Sequence, residues 1–121
     1  MKHTFPKSEK LCGQKAIAAL YRTGRKFTSW PLRVTWQPTA DATQVLIWAP
    51  KSLFRHAVQR NLLRRRIREA WRLNAAEVKQ GCDIAFNYID KAVQPYSVIE
   101  KGVKKALRRI QEERSKETDH G

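Results

Sequence analysis

Residues 57–72, AVQRNLLRRRIREAWR from Ala57 to Arg72, decide how the rest of the chain is read. Six arginines stand in those sixteen residues against one acid, Glu69. Leu63, Ile67, Ala70 and Trp71 follow an i, i+4, i+7, i+8 pattern, which gives a helix one apolar stripe to bury. Asn61, Arg65 and Arg68 repeat the i, i+4, i+7 spacing out of phase with it, and Arg72 follows one turn on. The stretch therefore predicts a helix with a core-facing edge and, about a third of a turn around, a rail of guanidinium groups.

The whole chain has 121 residues and a formal charge of +14. One domain is expected from that length, with enough chain to bury a sizeable core. The charge speaks to partners, nucleic acid or an anionic membrane surface. Residues 1–50 carry eight bases and two acids, residues 51–75 eight and one, and residues 76–121 nine and eight, so half the excess lies in about a fifth of the chain. Cys12 and Cys82 form no CxxC and join no Cys/His cluster, so two reduced, packed thiols are expected and neither a zinc site nor a disulfide framework. No apolar run reaches the ~18 residues of a membrane span, and the N-terminus lacks a signal-length apolar segment, so a cytoplasmic protein without a membrane partner is expected. His3, His56 and His120 are scattered and read as exposed or structural.

Outward from the arginine stretch, Lys51 to His56 is out of phase with the helix, since Phe54 would fall on the arginine side. A loop or short turn is predicted there. Upstream, Pro6 and Ser8 as N-cap open a helix to about Arg22 that stops at Gly24, with Ile17, Leu20 and Tyr21 on its apolar face. Leu32 to Gln37 and Val45 to Ala49 predict two strands, joined as a hairpin through PTADAT and ended by Pro50. Downstream, the apolar pattern lapses after Asn74, Gly81 breaks the chain, and Cys82 to Ile89 predicts a third strand. Ser97 and Glu100 form an S-x-x-E capping box for a last helix burying Ile99, Val103, Ala106, Leu107 and Ile110. From about Glu112 the chain is expected to fray. With one more short strand whose place the sequence does not fix, these elements predict a small α+β sandwich.

The residues give little for bond-making chemistry. Eight of the eleven acids lie in the last 46 residues, without a paired-carboxylate motif, a Ser/His/Asp order, an H-E-x-x-H or a phosphate-cradling glycine loop. Binding is better supported. Arginine holds phosphate bidentately and stays charged, and a merely solvated helix mixes acids with its bases, whereas Glu69 stands almost alone. Five to seven phosphate contacts would give a log–log salt slope of roughly −4 to −6. Tyr21, Phe27, Trp30, Trp36 and Trp48 could stack on unpaired bases, although core packing is the commoner role for such side chains.

The run from Pro50 to Ala70, PKSLFRHAVQRNLLRRRIREA, resembles the signature of the bacterial ribonuclease P protein family, K-x-x-F-[KR]-x-A-V-x-R-N-R-x-[KR]-R-x-x-R-E-A. The likeness extends to an opening F-P-K-S-x-x-L helix, a D-I-A-F strand and a P-Y-S start to the last helix. It implies a subunit of the ribonucleoprotein endonuclease that removes the 5′ leader from precursor tRNA, leaving a 5′-phosphate on the mature end. In that family the RNA subunit carries the active site and its Mg2+. The protein then binds no cofactor of its own and acts on no small molecule; it aids the RNA at physiological magnesium and contacts the leader.

The implied fold is an α/β sandwich with a mainly antiparallel sheet and a left-handed βαβ crossover through the arginine helix. By the same resemblance, Lys51, Arg60, Asn61, Arg64, Arg65 and Arg68 face the catalytic RNA. Ile17, Tyr21, Thr35 and Trp36 line a leader cleft between the first helix and the sheet. Two departures are visible: Leu62 interrupts the usual basic-polar-basic triplet, with Arg66 as an extra base, and Ile17 stands where the cleft usually carries a ring. A ribosome-bound or general RNA-binding protein would need only the basic surface, and a stand-alone nuclease would need carboxylates this chain does not group.

Overall fold

The structure, a computed structural model, describes residues 14–119, with side chains to residue 116. The expected helix start at Pro6 and Ser8, together with Cys12, His3 and His120, lies outside the described residues. Eight elements follow: α1 (Gln14–Thr23), β1 (Arg25–Ser29), β2 (Leu32–Pro38), β3 (Gln44–Trp48), α2 (Ala57–Asn74), a short 3-10 turn (Ala75–Glu77), β4 (Cys82–Tyr88) and α3 (Tyr96–Asp119). The strands form one mixed sheet in the order β1-β2-β4-β3. This is the α+β sandwich expected.

Strand alternation divides the sheet into two faces. Leu32, Val34 and Trp36 of β2, Val45 of β3, and Cys82, Ile84, Phe86 and Tyr88 of β4 face α2 and α3. They meet Leu63, Ile67, Ala70 and Trp71 from α2, and Ile99, Val103, Ala106, Leu107 and Ile110 from α3. All four α2 residues and all five α3 residues picked by periodicity are buried. On the opposite face α1 lays Leu20 against Ala85, with Ile17, Tyr21 and Leu46 packed around them. Gly24 closes α1 by donating to the Leu20 carbonyl (2.7 Å).

The expected β2–β3 hairpin is not formed. β2 pairs antiparallel with β1 and with β4, and β3 pairs parallel with the far side of β4, so α2 is the crossover between two parallel strands. The 39–43 segment crosses the start of β4 and does not turn back tightly: Thr39 N donates to Gly81 O (3.1 Å), and Cys82 N donates to Thr43 Oγ1 (3.2 Å). Gly81 makes that crossing possible, because a Cβ there would stand 1.9 Å from the Asp41 carbonyl oxygen. β1 is the strand the sequence could not place. It is an edge strand whose one large apolar residue is Phe27, and its buried end is Ser29, whose hydroxyl donates to Gly102 O in α3 (2.7 Å).

Two terminal expectations also change. α3 starts at Tyr96, with Val98 and Ile99 donating to Pro95 O, so Ser97 lies inside the first turn. Glu100 does not close a capping box: it accepts from Tyr96 Oη (3.1 Å) and from Asn74 Nδ2 (3.3 Å), tying α3 to the end of α2. Helix α3 runs on past Glu112 to Asp119, and Arg114 Nη2 reaches Gly81 O (3.2 Å).

Candidate nucleic-acid interface

Because α2 commits Leu63, Ile67, Ala70 and Trp71 to the core, the 3.6-residue repeat turns Asn61, Arg65, Arg68 and Arg72 outward, and all four are exposed. The helix begins with His56 in extended geometry and no side-chain cap. Lys51 and Arg55, both exposed, precede it in the turn that the phase break predicted. Phe54, which spoiled the helical phase, leaves the loop to enter the core and lies 5.7 Å from the Tyr88 ring.

The arginines divide by what they touch. Arg60 Nη1 donates to the carbonyls of Phe54 (2.7 Å) and Arg55 (3.1 Å), which holds the loop bearing Lys51 against the first turns of α2. Arg66 Nη1 donates to Gln94 O (2.5 Å), fastening α2 to the 91–95 loop. That contact ties the extra base to the fold, and Arg66 lines one groove with Leu62 and Tyr96. Arg64 donates to Asn61 Oδ1. Arg72 grips Glu69 with two bonds, Nε to Oε2 (3.1 Å) and Nη2 to Oε1 (2.5 Å), which raises its already high pKa. The lone acid of the stretch thus stands toward the C-terminal end of the rail, one helical turn on from Arg65 and two from Asn61. Arg68 and Arg65 are exposed between these two ends.

On the α1 face the four cleft residues do not stay together. Ile17 and Tyr21 are half-buried on α1, and Tyr21 Oη donates to Asn87 Oδ1 on β4 (2.9 Å). Thr35 is on this face but is covered, 1 % exposed, with its methyl under Gly24. Trp36 must be corrected. It points to the other side of the sheet, wholly buried in the main core, with Arg25 4.9 Å over its ring. Thr35 and Trp36 are consecutive in a strand, so one of them had to face away from α1.

The aromatic that β3 leaves open is Trp48, 51 % exposed and in register with Asn87. Arg33 on β2 is exposed and also pairs with Asn87. The missed signal was parity: in β3, Val45 and Ile47 point to the core, so Leu46 and Trp48 must share the face of α1. Among the described residues, no three His, Cys, Asp or Glu side chains converge as a metal site, and no helix is long and apolar enough to cross a membrane. Cys82 is a free thiol, buried, and burial pushes its pKa up.

Known proteins resemble this chain in sequence and in fold. The family model described as Ribonuclease P matches residues 5–111. Two relatives from strains of Porphyromonas gingivalis, each named ribonuclease P protein component, are 31 % and 30 % identical; each match covers 86 % of this chain and 84 % of the relative. The structure of the Staphylococcus aureus RNase P protein superposes with a TM-score of 0.76 at 19 % identity, covering 87 % of this chain and 97 % of that one. The Thermotoga maritima RNase P protein gives 0.74 at 20 % identity, with 84 % and 96 % covered. With a family match across most of its length and relatives aligned nearly end to end, the chain belongs to the ribonuclease P protein component family.

Proposed function

We propose that this protein is the RNA-binding subunit of a cytoplasmic ribonuclease P and contacts the RNase P RNA through the outer face of α2. The observation that carries the reading is the division of α2, with Leu63, Ile67, Ala70 and Trp71 inside and Asn61, Arg65 and Arg68 outside. Arg64 and Lys51 belong to the same surface, Lys51 because Arg60 ties its loop to the helix. An exposed guanidinium on a fixed helix can hold a phosphate with two parallel bonds without paying to order the scaffold.

The substrate is precursor tRNA, and its 5′ leader runs over the α1 face of the sheet. Tyr21, Asn87, Arg33 and Trp48 offer a ring, an amide, a charge and a second ring there, and Trp48 takes the stacking role first given to Trp36. Chemistry at the phosphodiester belongs to the RNA subunit and its Mg2+. The protein's own residues bind and orient.

The test is reconstitution of the protein with its cognate RNA and cleavage of a precursor tRNA across a magnesium series. Addition of the protein should lower the magnesium requirement and the apparent KM, and a leader truncated to its last nucleotide should lose much of that gain. An unchanged magnesium requirement and KM would refute the assignment.

A further inference from the structure

The last 46 residues sum to only one positive charge, and that sum hides a block. Lys101, Lys104, Lys105, Arg108 and Arg109 follow one another with no acid from residue 101 to residue 111; of the eight acids in those 46 residues, four come before the block and four after it. All five are exposed on α3. Glu100, the acid just before them, is already engaged by Tyr96 and Asn74 on the side toward α2.

On its other side α3 approaches the edge strand β1 and the β1–β2 turn very closely. Ser29 Oγ donates to Gly102 O, and a Cβ at Gly102 would lie 2.7 Å from the Trp30 carbonyl oxygen. Beside this junction lies a groove of about 570 Å3, lined by Phe27, Trp30, Lys101, Lys105 and Arg109 among others. Trp30 is 53 % exposed, the most open large aromatic of the described residues. Its indole is one of the donors around Asp90, the chief one being the Gln94 side chain; together they hold the Asp90 carboxyl below its usual range. Arg109 is stacked 4.4 Å above the Phe27 ring, which presets the direction of its guanidinium.

We propose that this groove is a second RNA site, which takes a single-stranded segment with an unpaired base on Trp30 and adjacent phosphates on Lys101, Lys105 and Arg109. The inference rests on the protein's being an RNA-binding subunit but not on the α2 face or the α1 cleft. A solvated helix face would explain the lysines alone. It would not explain an exposed indole lining one groove with them, and a base–aromatic contact combined with a cationic track is how unpaired strands are held without sequence readout. A folded protein partner is disfavoured by the run of unbroken positive charge, because interface cores are depleted in lysine.

The experiment uses the reconstituted ribonucleoprotein, in which the α2 face is occupied by the RNase P RNA, and a short fluorescent oligoadenylate bearing one 4-thiouridine. The cross-linked tryptic peptide should be residues 27–33, which contains Trp30. Trp30→Ala should weaken binding about tenfold, in the range of one lost base stack. Trp30→Phe should restore most of that loss, whereas a merely structural role would not distinguish a small ring from none once folding is verified by thermal melting. Lys101→Ala with Lys105→Ala should flatten the salt slope by about 1.4, as two single-strand phosphate contacts require.

Cross-linking only to peptides carrying Tyr21 or Trp48, or binding unaffected by all these variants, would overturn the groove and leave the functional reading intact. Failure of the protein to bind the RNase P RNA at all would instead refute that reading, and is seen separately in the reconstitution itself.

Discussion

Arg60 and Arg65 belong to one helix and one sequence motif, yet they meet different surroundings. Arg60 satisfies two backbone carbonyls of the loop before α2, so Arg60→Ala leaves two acceptors without their charged donor. It should lower stability by about 1–2 kcal/mol, visible in the urea midpoint of the isolated protein. Arg65 is exposed, and Arg65→Ala should leave that midpoint within about 0.5 kcal/mol. The signature identified both residues, but it could not distinguish them, because a motif records which side chains recur and not which atoms they touch.

Tyr96 carries a pH dependence. Burial first, then its bond to Glu100, pushes its pKa from the ordinary 10 up to about 12. A raised folded pKa means that stability is fully present below pH 10 and is lost as pH climbs toward 12, because the unfolded chain releases the proton first. The stability advantage of the native protein over Tyr96→Phe should therefore shrink between pH 9.5 and about 11.5, measured by urea titration at each pH; a constant difference would show that the phenol ionises alike in both states.

Among the elements, the helices were the most legible. α2 and α3 each present an apolar stripe at the period of a helix, and burial follows those stripes residue for residue. Ile67→Ala, at the centre of the α2 stripe, should cost about 2–5 kcal/mol in chemical denaturation. Strand existence was legible where apolar residues alternate, as in Leu32–Val34–Trp36. Strand pairing was not, since period 2 says which side chains share a face and nothing about which strand lies alongside. The hairpin expected between β2 and β3 followed the common preference of neighbours to pair; it yields here because a close backbone crossing at Gly81 carries the chain past β4. β1 escaped notice because an edge strand needs only one apolar residue.

Gly102 marks a similar crossing, where α3 meets the β1–β2 turn. Gly102→Ala must push the Trp30 carbonyl aside, and a loss of about 1–3 kcal/mol in denaturation is expected from that overpacking. The cleft suffered most from what alternation leaves open. One residue of parity separates Thr35 from Trp36, and it sends Trp36 into the core and leaves Trp48 as the exposed ring in register with Asn87, the partner of Tyr21.

Over the whole molecule, charge and apolar surface are separated by the sheet and its helices. The core lies between the sheet and α2/α3, the α1 face keeps a half-open strip with Trp48, and the densest positive charge lies on the outside of α2. The central claim is that this outer face binds the RNase P RNA through phosphates. It is tested most directly by the salt dependence of affinity between the protein and its cognate RNA, for the native chain and for Arg65→Ala/Arg68→Ala. The native protein should lose affinity steeply with salt, and the double variant should bind more weakly with a slope flatter by about two, near one for each phosphate contact removed. A double variant with the native slope and native affinity would contradict the account and move the RNA off α2.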